Sequence, residues 1–460
     1  MIKRFKITGL FGFRNVDINF EDNVKILIGE NGFGKTTVLN SLYYLLNNKH
    51  EKLSKIEFEE ITISFISGEQ FIFSKFDLDK YLKEIEINPR KKLPLNFIGI
   101  LHQYDLSFLN NYDEFNDEVY NLINHFIRKN RIKKFGLGLR IMAQYMFKFA
   151  KNKLSFNIFQ EFEIFKSRLD FKLIYLPTYR RVEEDLNNLG NFKENFIDYR
   201  NDRYYKEIEE EKEINDDTLI HFGMEDVREK VIEIEREIEK STISGFSKLT
   251  GEMLSQFLRG FPTIDNELIN DLDVQAGKII LDRVGNSLSK TDKDNINGLL
   301  ESKESLKEKK ELVYFISKLI GIYNEHKHLD DNLKTFKDIC NRYLVDKEFR
   351  YDESSIDLDI YRINTKERVE LNKLSSGEKQ IISILTKIYL EKSNNLIILF
   401  DEPELSLSLP WQKLLLPDIM NSRKCKFLLA VTHSPFIFDN ELEKYAIGIN
   451  IYMDDLNEEY

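Results

Sequence analysis

At 460 residues, 42% of them hydrophobic, the chain is long enough for one large domain with insertions or for two to three domains, and its formal net charge of −11 is no electrostatic invitation to nucleic acid. No uncharged apolar run approaches the ~18 residues that span a bilayer, and Met1-Ile2-Lys3-Arg4-Phe5 lacks the apolar core of a secretory leader, so no membrane partner and a cytoplasmic setting are expected. Cys340 and Cys425 lie far apart without a C-x-x-C spacing, which argues against a disulfide framework and a structural metal site.

In chain order, Ile2 to Ile7, Val16 to Phe20 and Val24 to Ile28 read as strands. The third runs into Gly29-Glu30-Asn31-Gly32-Phe33-Gly34-Lys35-Thr36, which fits the G-x-x-x-x-G-K-[ST] phosphate loop, and a helix is expected from Lys35 to about Leu46. The glycines let backbone N–H groups curl around phosphates, Lys35 supplies charge to the β- and γ-phosphates, and Thr36 is a ligand for Mg²⁺. Thr37 completes the nucleotide-contacting set, and the helix points its positive end at the anion. These residues predict a nucleoside triphosphate, ATP with Mg²⁺, as ligand.

A strand pair follows, Ile61 to Ile66 and Gln70 to Ser74 across Ser67-Gly68-Glu69. Helical periodicity runs from about Glu114 to Leu169, and within it Arg128, Lys129, Arg131, Lys133, Lys134 and Arg140 crowd six basic residues into 13 positions. That cluster reads as a solvated face, with nucleic acid or an acidic protein as alternative partners. Leu173 to Leu176 looks like another sheet strand, ending in Pro177-Thr178-Tyr179-Arg180-Arg181. Beside the phosphate loop, Arg180 or Arg181 would reach a phosphate or a neighbouring protomer; otherwise they pair with Glu183 and Glu184. From Asn201 to about Tyr343 the chain is charged and nearly proline-free, with Val227, Val231, Ile234 and Ile238 at helical spacing and acid concentrated at Glu207 to Asp217. This reads as a short helical arm, because sustained heptads are absent.

Beyond the arm, Leu374-Ser375-Ser376-Gly377-Glu378-Lys379-Gln380 precedes an apolar helix-like run, with Ser375 and Glu378 spaced as a capping box. Leu396 to Phe400 is a continuous apolar run of the kind a buried parallel strand needs, and it ends in Asp401-Glu402-Pro403-Glu404. Asp401 is placed to hold Mg²⁺, directly or through water, and Glu402 to polarise an attacking water toward the γ-phosphate. Phe427 to Val431 reads as the next strand and delivers Thr432-His433-Ser434-Pro435.

Together these motifs resemble the ABC ATPases of the RecF and overcoming-lysogenization (OLD-like) group, firmly over residues 1–75 and 365–460. Leu374 to Gln380 resembles the ABC signature motif in its SMC-like form. The resemblance implies that Ser375, Ser376, Gly377 and Glu378 act in trans, capping the γ-phosphate of ATP on a second protomer, and that His433 is the switch histidine sensing that phosphate. No glutamine can be assigned to the Q-loop; Gln103 is one candidate among several. Where the group usually carries histidines between the leucines, Ser406 and Ser408 stand here, which removes any role those histidines have in communication between sites.

The fold implied is α/β, an ABC-type ATPase head of mixed β-sheet and flanking helices carrying a long helical insertion. Its expected divisions are an ATPase lobe at 1–185, an arm at 186–345 and a second ATPase lobe at 346–460. Leu374 follows Lys35 by 339 positions, which is the room for that insertion. Only 27 residues follow His433, too few for the Toprim nuclease domain of overcoming-lysogenization nucleases, so no nuclease of its own is expected. Stand-alone ATPases of this kind resemble the ATPase subunits of the PARIS and, second, the Septu anti-phage systems. The implied partners are then further copies of itself, a separately encoded nuclease or toxin effector (Toprim-like or HNH) and a phage-encoded trigger. The alternatives are a RecF-like repair ATPase that clamps DNA in its ATP-bound dimer, and a nucleotide-gated structural module, against which Glu402 speaks.

Overall fold

The structure is a computed structural model, and it describes residues 1–30, 32–87, 104, 106–130, 132, 139–150, 157–178, 224–262, 269, 271–283, 289–302, 306 and 309–455. Asn31, Gln103, Arg131, Lys133, Lys134, Arg180, Arg181, Glu183, Glu184 and the acidic stretch 207–217 lie outside the described residues. The chain forms two compact units: Met1–Pro177 with Ser393–Glu404 and Cys425–Tyr460, and Thr178–Lys392 with Leu405–Lys424. Among the described residues, no helix is long and apolar enough to cross a membrane.

The first unit contains two five-stranded sheets. The antiparallel one is built from β1 (Ile2–Leu10), β2 (Arg14–Asn19), β4 (Glu60–Phe65), β5 (Gln70–Ser74) and β13 (Met453–Asp455), in the order β13-β2-β1-β4-β5. The other is all parallel and uses β3 (Val24–Ile28), β6 (Lys172–Leu176), β10 (Leu396–Asp401), β11 (Cys425–Thr432) and β12 (Ala446–Gly448), in the order β12-β3-β11-β10-β6. Parallel strands covered on both faces need unbroken apolar runs, and every residue of β10 is buried. One core joins the two sheets to the helix Lys35–Leu46: Phe5 and Ile7 of β1 share it with Leu39 and Leu42 of the helix and with Leu429 and Val431 of β11.

The strands and that helix fall where the sequence places them. One expectation needs correcting: β6 pairs with β10 and is separated from β3 by β11 and β10, so its end does not lie beside the phosphate loop. Continuous apolar runs mark strands as buried without saying which neighbours they take. The helical stretch after β5 includes Asp117–Lys129, opened by an Asn116 N-cap, and Leu139–Ala150; Val119, Ile123, Ile127, Met142 and Met146 form a core of their own there. Lys166, on the helix Ile158–Ser167, buries its ammonium against the end of the phosphate-loop helix. It donates to Leu46 O at 2.8 Å, to Leu45 O at 3.3 Å and to Asn48.

The second unit holds the arm. Its two long helices are Met224–Arg259 and Lys310–Cys340, joined by Val274–Arg283 and Lys290–Glu301. The stripe Val227, Val231, Ile234 and Ile238 is buried as its spacing predicts, and Glu235 on the same helix accepts from Leu358 N at 3.0 Å. Farther along, Leu249 joins Val313, Ile316 and Leu319 in a separate core. The arm root leads into the antiparallel strands β7 (Lys347–Asp352), β8 (Asp357–Arg362) and β9 (Arg368–Val369), then into the helix Ser376–Tyr389. Tyr343 OH and Tyr389 OH both donate to Asp418, to Oδ2 at 2.7 Å and to the backbone O at 2.6 Å, tying root, signature helix and the helix Leu409–Asn421 together.

Candidate nucleotide-binding site

β3 ends at Ile28, whose register partner on β11 is Thr432, and β10 ends at Asp401, whose partner is Val431. Three motif-bearing loops thus leave the C-terminal edge of three neighbouring parallel strands, where open α/β sheets bind ligands. In the phosphate loop Gly32 and Gly34 have φ of +92° and +81°, a region an L residue enters only with strain. A Cβ on Gly34 would also lie 2.9 Å from the Phe11 ring. The Lys35 ammonium folds back onto the loop, donating to Gly29 O at 2.6 Å and Glu30 O at 2.9 Å. It thereby holds the loop curled in the shape that an anion would complete. Ser41 Oγ donates to Thr37 O at 2.8 Å, inside the helix.

Thr36 Oγ1 donates to Asp401 Oδ1 at 3.0 Å. Two oxygens at this spacing fit one edge of an octahedral cation with bonds of ~2.1 Å, whose adjacent ligands stand about 3 Å apart. The pair therefore suits a shared Mg²⁺. Glu402 follows in the left-handed region, φ +49°, its N–H donating to Val431 O at 2.9 Å. Its carboxylate turns toward the His433 ring, with Oε1 4.0 Å from Nδ1. Glu404 comes closer: its Oε1 lies 3.1 Å from Nδ1 and accepts from the backbone N–H of His433 at 3.0 Å and of Ser434 at 3.2 Å.

A further group borders the loop. The Arg14 guanidinium lies over the rings of Phe13 and Phe33, 5.2 and 5.7 Å from their centroids, and forms two bonds with Asp455 of β13 at 2.6 and 2.9 Å. That ion pair holds the Asp455 carboxyl below its usual range. Sequence reasoning missed this cluster and also missed Glu404; Arg14 and its partner stand 441 positions apart.

Ser375, Ser376, Gly377 and Glu378 belong to the second unit. Ser375 is the N-cap of the helix Ser376–Tyr389, and the capping box closes in both directions: Glu378 N donates to Ser375 Oγ at 3.4 Å, and Glu378 Oε2 accepts from Ser375 N and Ser375 Oγ, each at 2.8 Å. Lys347 of β7 donates to the other carboxylate oxygen at 2.9 Å. Burial pushes the Glu378 carboxyl up, but the Lys347 and Ser375 bonds outweigh it and hold the group below its ordinary value. At Gly377 a Cβ would meet Ser406 O at 2.9 Å and the Trp411 ring at 3.0 Å, so only glycine permits this approach. Ser406 itself is left-handed, φ +64°, and Ser408 is the N-cap of the helix Leu409–Asn421.

A phosphate loop, a buried aspartate followed by a half-buried glutamate, and a histidine on adjacent parallel strands define a P-loop nucleotide-binding domain with the fold of an ABC-type ATPase head. The chain belongs to the AAA ATPase domain family, whose model matches residues 1–438. It is 31% identical over 86 residues to the DNA replication and repair protein RecF of Clostridium kluyveri, a match covering 19% of this chain and 23% of that protein. It is 38% identical over 48 residues to the Septu protein PtuA of Bacillus thuringiensis, covering 10% of this chain and 12% of that protein. The chain therefore spans less than a quarter of the length of either curated relative in these matches. Among solved structures it is similar to the Smc head domain of Pyrococcus furiosus with an extended coiled coil, bound to the C-terminal domain of ScpA, at 12% identity and a TM-score of 0.34 over 95% of this chain and 90% of that one.

Proposed function

We propose that this protein binds and hydrolyses ATP in an ATP-dependent dimer and that it is the oligomeric scaffold and sensor of an anti-phage defence system of the PARIS or Septu kind. In that role it holds, and on hydrolysis releases, a separately encoded nuclease or toxin. The observation that carries the catalytic part is the Thr36–Asp401 contact of 3.0 Å with Glu402 next in the chain. Thr36 and Asp401 would hold Mg²⁺, which when bound offsets the charge of the β- and γ-phosphates. The phosphate-loop N–H groups and Lys35 bind and orient the triphosphate, Glu402 takes the proton of the attacking water, and the His433 ring donates to the γ-phosphate. Ser375 and the N-terminus of its helix would cap the γ-phosphate held by a second copy. The defence role draws support from the PtuA similarity.

Similarity to RecF favours a second reading, a DNA clamp. The test is co-expression with the neighbouring reading frame. The scaffold reading expects a stable multi-copy assembly, no DNA cleavage by the chain alone, and ATP hydrolysis slowed ~100-fold or more by Glu402→Gln, with release of the neighbour blocked and assembly intact. Salt-dependent duplex binding by the isolated chain, with no operon partner copurifying, would favour the clamp. Parental hydrolysis by Glu402→Gln would remove Glu402 from its role.

A further inference from the structure

We propose that Glu404 is the positioning residue of the switch loop: it holds the His433 ring with Nδ1 turned to its carboxylate, so that Nε2 is the atom offered to the γ-phosphate. This rests on the reading of His433 as the phosphate-contacting histidine. Two carboxylates flank that ring, and distance assigns their roles. Glu404 Oε1 stands at hydrogen-bond range from Nδ1, 3.1 Å, whereas Glu402 Oε1 at 4.0 Å is beyond it. Burial separates them as well, since the Glu404 side chain is 5% exposed, Glu402 21% and His433 47%. The anchor is inside and the ring reaches outward.

The same Glu404 oxygen accepts the backbone N–H groups of His433 and Ser434, and Ser434 N also donates to Thr432 Oγ1 at 3.0 Å. Ring and backbone are thus fastened to one buried carboxylate. An acceptor at Nδ1 decides which ring nitrogen carries the proton. With Nδ1–H given to Glu404, a proton on Nε2 lets the ring stand between two anions, carboxylate on one side and phosphate on the other. Glu402 then keeps its carboxylate for the water.

Glu404→Gln tests this, because the side-chain oxygen can still accept both backbone N–H groups while the anion facing Nδ1 is gone. A merely structural Glu404 would leave the variant near wild type. A positioning Glu404 predicts a kcat lowered ~10–100-fold, by analogy with the loss when orienting partners of metal-bound histidines are removed, with the KM for ATP nearly unchanged. In Glu404→Gln/His433→Ala the loss should be no greater than in His433→Ala alone, as for residues acting as a unit. ¹⁵N-histidine spectra, with the His433 signal assigned by its disappearance in His433→Ala, should show protonated Nδ1 in the wild type and a shift of the proton toward Nε2 in Glu404→Gln. Unprotonated Nδ1 in the wild type, or losses that multiply in the double variant, would overturn the proposal. A wild-type chain that does not hydrolyse ATP would instead sink the reading beneath it, and the ring spectra would still decide the placement of Glu404.

Discussion

Replacing Lys347 by Met should loosen the signature loop through one identifiable bond. Lys347 is 13% exposed and Glu378 7%, and their 2.9 Å contact is charge-assisted, a type worth about 1.5–3 kcal/mol. The second partner of Lys347, Asp346 at 2.7 Å, is largely exposed and contributes little. Glu378 would keep its Ser375 bonds and the favourable helix N-terminus, so the loss belongs at the lower end, ~1.5 kcal/mol or about tenfold in an equilibrium constant. For a unit of this size that is a drop of about 3–6 °C in melting temperature. The pH dependence carries a sign. Glu378 sits below its ordinary 4.5, so its contribution is present above that value and is lost as pH falls through the folded value. Burial pulls Lys347 down, but Asp346 and Glu378 outweigh it and hold the ammonium above 10.5, so its share is lost only as pH rises past that. In Lys347→Met, burial of Glu378 is opposed by Ser375 alone and acid destabilisation should begin at higher pH. Calorimetry across pH 3–8 reads both effects in about that range, and nucleotide binding by the single chain should be unchanged while ATP-driven dimerisation weakens. Melting and acid profiles identical to wild type would refute the bond's importance, and Lys347→Arg should restore both.

The proposed trans action of the signature predicts that Ser375→Arg binds nucleotide through Lys35 but does not hydrolyse it. Mixed with Lys35→Ala chains it should recover part of the activity through one intact composite site; hybrids shown to form yet wholly inactive would count against composite sites. At Ser406 the backbone, with φ of +64°, carries the demand and the side chain is exposed. Ser406→Gly should therefore melt no lower than wild type and Ser406→Val should lose about 1–2 kcal/mol, an expectation that equal melting of the two variants would defeat.

Much of the first unit was legible because its motifs are local. The helix Lys35–Leu46 begins and ends where the glycine-rich loop and its apolar spacing place it, and β3, β10 and β11 fall on their apolar runs. Burial stamps periodicity on a sequence, but partner choice leaves no local mark. Nothing in Leu173 to Leu176 says that β6 takes β10 as its neighbour. Glu404 stood in plain view beside Glu402, yet its use by His433 and Ser434 depends on β10 and β11 being adjacent. Lys347 meets Glu378 across 31 positions and Arg14 meets Asp455 across 441, distances over which spacing rules are silent. The capping box was readable at Ser375 and Glu378 because its two members stand only three positions apart.

The loop after β10 joins these devices covalently. Asp401 to Glu404 belong to the sheet unit and carry the Thr36 contact and the His433 anchor, whereas Leu405–Lys424 belongs to the unit of the signature helix. Glu402 and Ser406 are both left-handed, each at a cost of about 1–3 kcal/mol that survives only when surroundings over-determine it. For Glu402 the surroundings are Val431 O and the buried Glu404 two residues on; for Ser406 they include Gly377, on which a Cβ would lie 2.9 Å from the Ser406 carbonyl. Each of the two left-handed residues is thus held by partners within its own unit.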